Sequence, residues 1–229
     1  MLHLILADSE LETVPSIISS DKSIQRKAQR RGRKGTELIL DSNYYHKPMR
    51  KLEDSNRRGR PDIVHVCILA ALDSPLNREG CLNMYIHTRN DEVINIDSET
   101  RIPRSYNRFI GLMEQLFLVG GVPPDNPLMK LERGKNLTDL VDEINADKTI
   151  TFTQEGRKIG RDELFDGLGL DNDICVVIGD FPHGDFLSNV DGLSDDLVCI
   201  YSESLDAVTV VTHAIQFYED YFLSDSIFS

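Results

Sequence analysis

Two glycine-bearing segments of the chain could hold a small ligand. Ile178-Gly179-Asp180-Phe181-Pro182-His183-Gly184 follows an apolar run, Ile174–Ile178, that reads as a strand. A glycine at the carboxyl end of a parallel strand lets a ligand approach the backbone. A plain turn needing two glycines would look the same. Cys199-Ile200-Tyr201-Ser202-Glu203-Ser204-Leu205 also ends a strand and precedes a helix. There Ser204 or Asp206 also suits a helix N-cap. Two such loops in one sheet make a crevice for a small ligand. The pattern is neither a GxGxxG dinucleotide fingerprint nor a Walker A loop.

Three other segments carry charge in patterns suited to a phosphate backbone. In Arg101-Ile102-Pro103-Arg104-Ser105-Tyr106-Asn107-Arg108 the arginines recur at spacings of three and four, which share one face of a helix. Guanidinium forks match phosphate oxygens; a solvated face paired with Asp97 and Glu99 is the alternative. Lys22–Lys34 holds seven basic residues in thirteen and no acid, either a phosphate patch or a solvated face. Arg57-Arg58-Gly59-Arg60-Pro61-Asp62 leads into a helix, and Asp62 in its first turn would favour the helix dipole.

The elements that position these residues alternate. Apolar runs predict strands at His3–Ala7, Glu37–Asp41, Leu82–Thr88, Val93–Ile96, Thr149–Thr153, Ile174–Ile178 and Leu197–Tyr201. Helical spacing predicts helices over Pro15–Arg31, Tyr44–Leu52, from Pro61 to Leu72, Tyr106–Val119, Arg161–Leu168 and Asp206–Phe222. Continuous apolar strands alternating with helices imply an α/β fold with a mainly parallel sheet flanked by helices.

The net charge of −13 argues at first against a nucleic-acid partner. Its distribution reverses that. Residues 1–134 hold 20 Lys+Arg and 18 Asp+Glu, whereas residues 135–229 hold 5 and 20. Local field, not net charge, decides where a phosphate backbone docks. Cys67, Cys81, Cys175 and Cys199 form no CxxC pair, and read as reduced thiols of a cytoplasmic protein. The six histidines lack metal-ligand spacing, so no metal is expected. No apolar run reaches the length of a membrane span, and Met1–Leu6 reads as a first strand rather than a signal peptide.

Taken together, Arg60-Pro61-Asp62-Ile63-Val64-His65, Leu72-Asp73-Ser74-Pro75-Leu76-Asn77 and Arg101-Ile102-Pro103-Arg104 with Arg108-Phe109 and Gly111-Leu112-Met113 resemble the ribosome-biogenesis pseudouridine N1-methyltransferases of the SPOUT class. The loop Gly179–Gly184 and Ile200–Leu205 fit that family's cofactor region, in the same order. The likeness covers nearly the whole chain. Its short connections resemble the archaeal members. Ser202-Glu203-Ser204 departs from the Ser-Asn-Tyr-Pro that other members often carry there.

The resemblance implies a single SPOUT domain over 1–229 with a C-terminal trefoil knot. A family-specific insertion would fall within 36–100, and the cofactor-binding knot region within 148–229. It implies a homodimer that binds S-adenosyl-L-methionine through Gly179, Gly184, Ile200, Tyr201, Ser202, Glu203, Ser204 and Leu205, with Ile150 as a further contact. Arg60, Arg101, Arg104 and Arg108 would face a hairpin of small-subunit ribosomal RNA, and Asp62 and Arg60 would act in catalysis. An imide N–H of pseudouridine becomes nucleophilic when a carboxylate such as Asp62 withdraws its proton; orienting Arg60 or the base is the other role open to Asp62. Other ribosome-assembly factors are expected partners. The competing reading is a non-catalytic RNA-binding assembly factor, and a SPOUT enzyme acting on transfer RNA explains the Arg101–Arg108 set less well.

Overall fold

The computed structural model describes residues 1–223, apart from the side chain of Asp162. The chain opens with strand β1 (Leu2–Ser9) and helices α1 (Ser16–Ser19), α2 (Lys22–Arg31), α3 (Ser42–Met49), α4 (Pro61–Leu72) and α5 (Pro75–Arg78). Strands β2 (Leu82–Thr88) and β3 (Glu92–Ile96), helix α6 (Tyr106–Val119), and strands β4 (Gly121–Val122) and β5 (Met129–Arg133) follow. The last third holds α7 (Leu137–Ile144), β6 (Lys148–Lys158), β7 (Ile174–Gly179), β8 (Asp196–Cys199) and α8 (Ala207–Tyr218).

All eight strands form one sheet, in the order β4-β5-β3-β2-β1-β7-β6-β8. The half from β2 to β8 is parallel throughout, as the alternation of strands and helices predicts. Strands β3, β5 and β4 add an antiparallel edge. β1 lies at the centre and is buried along its length, since both faces of a parallel sheet are covered. Leu2, Leu4 and Leu6 point into the main core under α4, α6 and α8. Ile5 and Ala7 point the other way, with Cys175 and Val177 of β7, onto Leu137, Leu140 and Val141 of α7. The two faces follow from the two-residue period of a strand.

A third apolar cluster stands apart. Val14, Ile18, Ile24, Ala28, Leu38, Leu40, Tyr45, Met49 and Leu52 pack on one another and make a small unit around α1, α2 and α3. Polar ties join it to the sheet. Arg58 donates from Nε and Nη2 to the two carboxylate oxygens of Glu12, at 2.8 and 2.6 Å. Arg31 pairs with the buried Glu114 of α6. The Tyr106 hydroxyl donates to Asp41 Oδ2 at 2.7 Å.

Several elements differ from the sequence expectation. Glu37–Asp41 is not a strand: Gly35–Glu37 forms a 3-10 turn and only Ile39 bridges to Thr13. Leu38 and Leu40 are apolar because they fill the small cluster, which periodicity alone does not distinguish from a buried strand. The helix expected over Pro15–Arg31 is split, because the Asp21 carboxylate accepts from the Ser23 backbone N–H at 2.8 Å and starts α2 afresh. Arg161–Leu168 holds a 3-10 turn at Arg161–Glu163 in place of a helix, with Gly167 at φ +76°. Cys67 and Cys175 are buried, Cys81 and Cys199 half-buried, and all four are free thiols. Burial pushes the Cys175 thiol up to about 12. No helix among the described residues is long and apolar enough to cross a membrane.

Candidate active site

The parallel strands deliver their carboxyl ends to one side of the sheet, and the loops that follow β7 and β8 face each other there. Between them opens a cleft of about 910 Å³. Gly179 and Gly184 line it from the first loop, and Ile200, Tyr201, Glu203, Ser204 and Leu205 from the second. Arg60 and Asp62, at the start of α4, line it from a third direction. The structure therefore brings together the glycine loops and the Arg60–Asp62 pair, although more than a hundred residues separate them in the chain.

Two expected cofactor residues stand elsewhere. Ser202 is exposed but not part of the cleft lining. Ile150 is fully buried and paired in the sheet between Val176 and Asp196. From the same strand, β6, it is Phe152, Thr153, Gln154 and Glu155 that reach the cleft. The apolar run Ile150–Phe152 signals the strand but not where along it the ligand edge falls. Phe181 also lines the cleft, and its type within the loop was the available signal.

Two buried side chains from the first sixty residues, Asp8 and Arg57, hold the loop after β7. Asp8, at φ +51° at the end of β1, accepts from the backbone N–H of Leu187 and Ser188 at 2.6 and 2.9 Å and from the Ser188 hydroxyl at 2.7 Å. Burial acts to raise the Asp8 pKa, but the contacts from His87 and Ser188 outweigh it and hold the carboxyl below its ordinary value. Arg57 donates from Nε to Glu10 Oε1 at 2.6 Å and from Nη1 to the Asp185 carbonyl at 2.5 Å. Arg89 completes the cage, donating to Glu10 Oε2 at 2.9 Å. Gly179 is required at its position because an added Cβ would lie 2.6 Å from the Phe181 ring. Gly184, at φ +87°, sits against Arg57.

At the cleft wall Arg60 donates from Nε and Nη2 to the two oxygens of Asp62, at 2.9 and 2.8 Å. This hydrogen bonding is the main cause of a raised Arg60 pKa. Pro61 between them occupies the first helical position, where its missing N–H removes no bond. Asp62 thereby serves in the first turn, as the sequence suggested, and also faces the cleft. Nearby lies Asp180, completely buried, with neither carboxylate oxygen hydrogen-bonded to a partner among the described residues. Burial raises its pKa to about 7.

Arg101, Arg104 and Arg108 are exposed and lie outside the cleft lining. They are tied to the same helix as Asp62. His65, one turn on in α4, has Nε2 2.8 Å from the Pro103 carbonyl and stacks on Phe109 with ring centroids 4.3 Å apart. Arg104 reaches Asp73 at 3.5 Å, with its side chain 86% exposed. Among the described residues no group of histidines, cysteines and carboxylates is placed to hold a metal.

Comparison with known proteins fits this arrangement. A family model described as EMG1/NEP1 methyltransferase matches residues 4–219. A protein of Thermococcus onnurineus named ribosomal RNA small subunit methyltransferase Nep1 is 49% identical over 223 residues, covering 97% of this chain and 100% of the relative. A protein of the same name from Thermococcus kodakarensis is 47% identical over 219 residues, covering 96% and 98%. Among solved structures, Archaeoglobus fulgidus Nep1 bound to S-adenosylhomocysteine superposes with a TM-score of 0.84 at 35% identity, covering 96% of this chain and 97% of that one. With a family match across almost the whole length and relatives near one-half identity, the chain belongs to the EMG1/NEP1 methyltransferase family.

Proposed function

We propose that the protein transfers a methyl group from S-adenosyl-L-methionine to N1 of a pseudouridine in a hairpin of small-subunit ribosomal RNA, and so serves ribosome biogenesis. The observation that carries this reading is the placement of Arg60 and Asp62 in one cleft with both glycine-bearing loops. The names of the Thermococcus relatives and the S-adenosylhomocysteine held by the Archaeoglobus neighbour support the substrate and the donor.

The cleft residues fit the donor. Phe152, Val198 and Leu205 offer apolar walls for a purine, and Gly179 and Gly184 expose backbone groups to its edge. Glu203 and Asp206 bring negative charge toward the sulfonium and ammonium groups of the ligand. Bound there, S-adenosylmethionine supplies an electrophilic methyl group. Ile150 contributes indirectly, as the buried strand position that sets Phe152, and Ser202 by shaping its loop.

On the acceptor side, Asp62 spends one lone-pair site on each oxygen on Arg60 and keeps others to accept the N1–H of the base. Arg60 holds that carboxylate in a fixed plane, which positions the proton acceptor. A carboxylate in this role accelerates proton withdrawal by roughly 10²–10⁴-fold. Uridine lacks this N–H because its equivalent nitrogen is bonded to the sugar. Arg101, Arg104 and Arg108 offer guanidinium groups to the phosphates around the target base. An extruded base in a hairpin loop suits such a cleft.

The same reading includes a homodimer, with exposed Val66 of α4 and half-buried Val208 and Val210 of α8 at the cleft rim as apolar contact material. It includes the C-terminal knot within 148–229. In its favour, Val198 of β8 pairs with both Phe152 and Arg157 of β6, on either side of the segment between them. It includes a family-specific insertion within 36–100, favoured by the separate cluster of which Leu38, Leu40, Tyr45, Met49 and Leu52 are part. A cytoplasmic location and contacts with ribosome-assembly factors suit a ribosomal substrate.

The test is incubation of the protein with S-adenosylmethionine and a synthetic hairpin, followed by mass spectrometry. One methyl should appear on the pseudouridine hairpin and none on its uridine counterpart. Equal methylation of both, or of neither, would sink the proposal.

A further inference from the structure

Helix α2 lies outside the cleft, and its basic face has no part in the chemistry above. Lys22, Arg26 and Arg30 recur every fourth residue and so share one face. All three are exposed, and their side chains form no ion pair among the described residues. The other face is committed to the fold. Ile24 and Ala28 are buried in the small cluster, and Arg31 pairs with Glu114.

Lys27 stands between the two faces. Its ammonium sits 3.5 Å from the centroid of the Tyr44 ring, in cation–π geometry. Tyr44 nevertheless remains 50% exposed. It lies in the first turn of α3, just after Asp41, the residue that accepts the Tyr106 hydroxyl. The Tyr106 ring in turn lies 5.8 Å, centroid to centroid, from that of His65, one turn along α4 from Asp62. These contacts link the helix that carries Asp62, through Tyr106 and Asp41, to an exposed aromatic ring beside a row of cations.

An exposed ring flanked by cations is the arrangement that binds single-stranded nucleic acid. Bases stack on the ring, and cations follow the backbone. A protein of net charge −13 has little general attraction for RNA, so a local row of this kind decides where a strand runs. We propose that Tyr44 and the Lys22–Arg26–Arg30 face of α2 form a second RNA contact. There a nucleotide flanking the methylated hairpin stacks on Tyr44, and the phosphates beyond it pass along α2. The proposal rests on the reading that the substrate is RNA and adds which part of that RNA is gripped outside the cleft.

The experiment compares binding of two labelled pseudouridine hairpins to the full chain over a range of salt. One is the loop with its stem; the other is extended by a single-stranded flank at each end. The wild type should bind the extended RNA more tightly. Arg26→Ala with Arg30→Ala should remove most of that gain and reduce the slope of log affinity against log salt by about 1.4, at about 0.7 per phosphate of a single strand. Tyr44→Ala should weaken the extended RNA about tenfold, and Tyr44→Phe should restore it, since stacking needs the ring and not the hydroxyl. Equal binding of the two RNAs by the wild type, or variants with wild-type affinity and slope, would overturn the proposal and leave this face to some other anionic partner. If instead flank-dependent binding persists while neither hairpin gains a methyl, the methyltransfer reading has failed and this one stands.

Discussion

Arg57 lays its guanidinium carbon 4.0 Å from the centroid of the Phe181 ring while its Nε holds the buried Glu10. One side chain from the turn before α4 thus packs against the cleft loop and neutralises a carboxylate at the end of β1. Replacing Arg57 by Ala removes the stack and half of Glu10's compensation, leaving Arg89 alone. Breaking a buried ion pair from one side lowers stability by about 3–5 kcal/mol, and the surviving arginine places this case at about 3. Urea denaturation reads it. A midpoint equal to that of the wild type would show that the contact contributes nothing.

Gly179→Ala would drive a methyl group toward the Phe181 ring, where Phe186 stands edge-on with centroids 5.4 Å apart. The ring cannot retreat toward Arg57, so it must move into the cleft. Overpacking of this kind costs about 1–3 kcal/mol, and borne by the ligand-bound state it would weaken S-adenosylhomocysteine by about 5- to 150-fold. Titration calorimetry measures it. Unchanged affinity would place the ligand away from this loop.

Asp62→Asn keeps the size of the side chain and removes its ability to take a proton. Methyl transfer to the pseudouridine hairpin should fall by about 10²–10⁴-fold, with hairpin binding retained. Single-turnover rates at saturating RNA separate the two. A variant that methylates at the wild-type rate would exclude the base role. One that neither binds nor methylates would make Asp62 an organiser of Arg60.

Asp180 gives the protein a distinct response to pH. Its folded pKa of about 7 lies above the ordinary carboxylate value because burial opposes ionisation. The folded state therefore keeps a proton that the unfolded chain has already released, so this group lowers stability as pH rises from about 4 to 7 and adds no further loss above. Asp8 acts in the opposite sense: its depressed pKa contributes stability that disappears as pH falls through the folded value. Asp180→Asn should raise the melting temperature relative to wild type, and the difference should grow between pH 5 and 7. Melting curves that run parallel across that range would refute the assignment.

Much of the framework is legible in the sequence. β1, β7 and the helices at Pro61 and Tyr106 announce themselves through apolar runs, Pro at the first helical position and a closing glycine. The glycine loops were legible because they end apolar strands. What the sequence did not disclose is mostly long-range. Nothing in Asp8 indicates that it caps a loop 180 residues away, nor in Arg57 that it stacks on Phe181. Ile150 and Phe152 are alike in a buried run, and only the register against β7 and β8 shows which one reaches the cleft. Helix α7 gives only a local sign of itself in the sequence, the capping box of Asn136 and Asp139 before Leu140 and Val141. Its eight residues are too few for a strong periodic signal, yet it packs on the second face of the sheet, against Ile5, Val93 and Val177.

The small cluster around Tyr45 packs as a body of its own, joined to the rest by ion pairs, a phenol–carboxylate contact and the backbone around Ile39. Changes inside one body therefore leave the fit of the other largely undisturbed. The surface presented by α2 and α3 can therefore be altered without reshaping the loops that line the cleft.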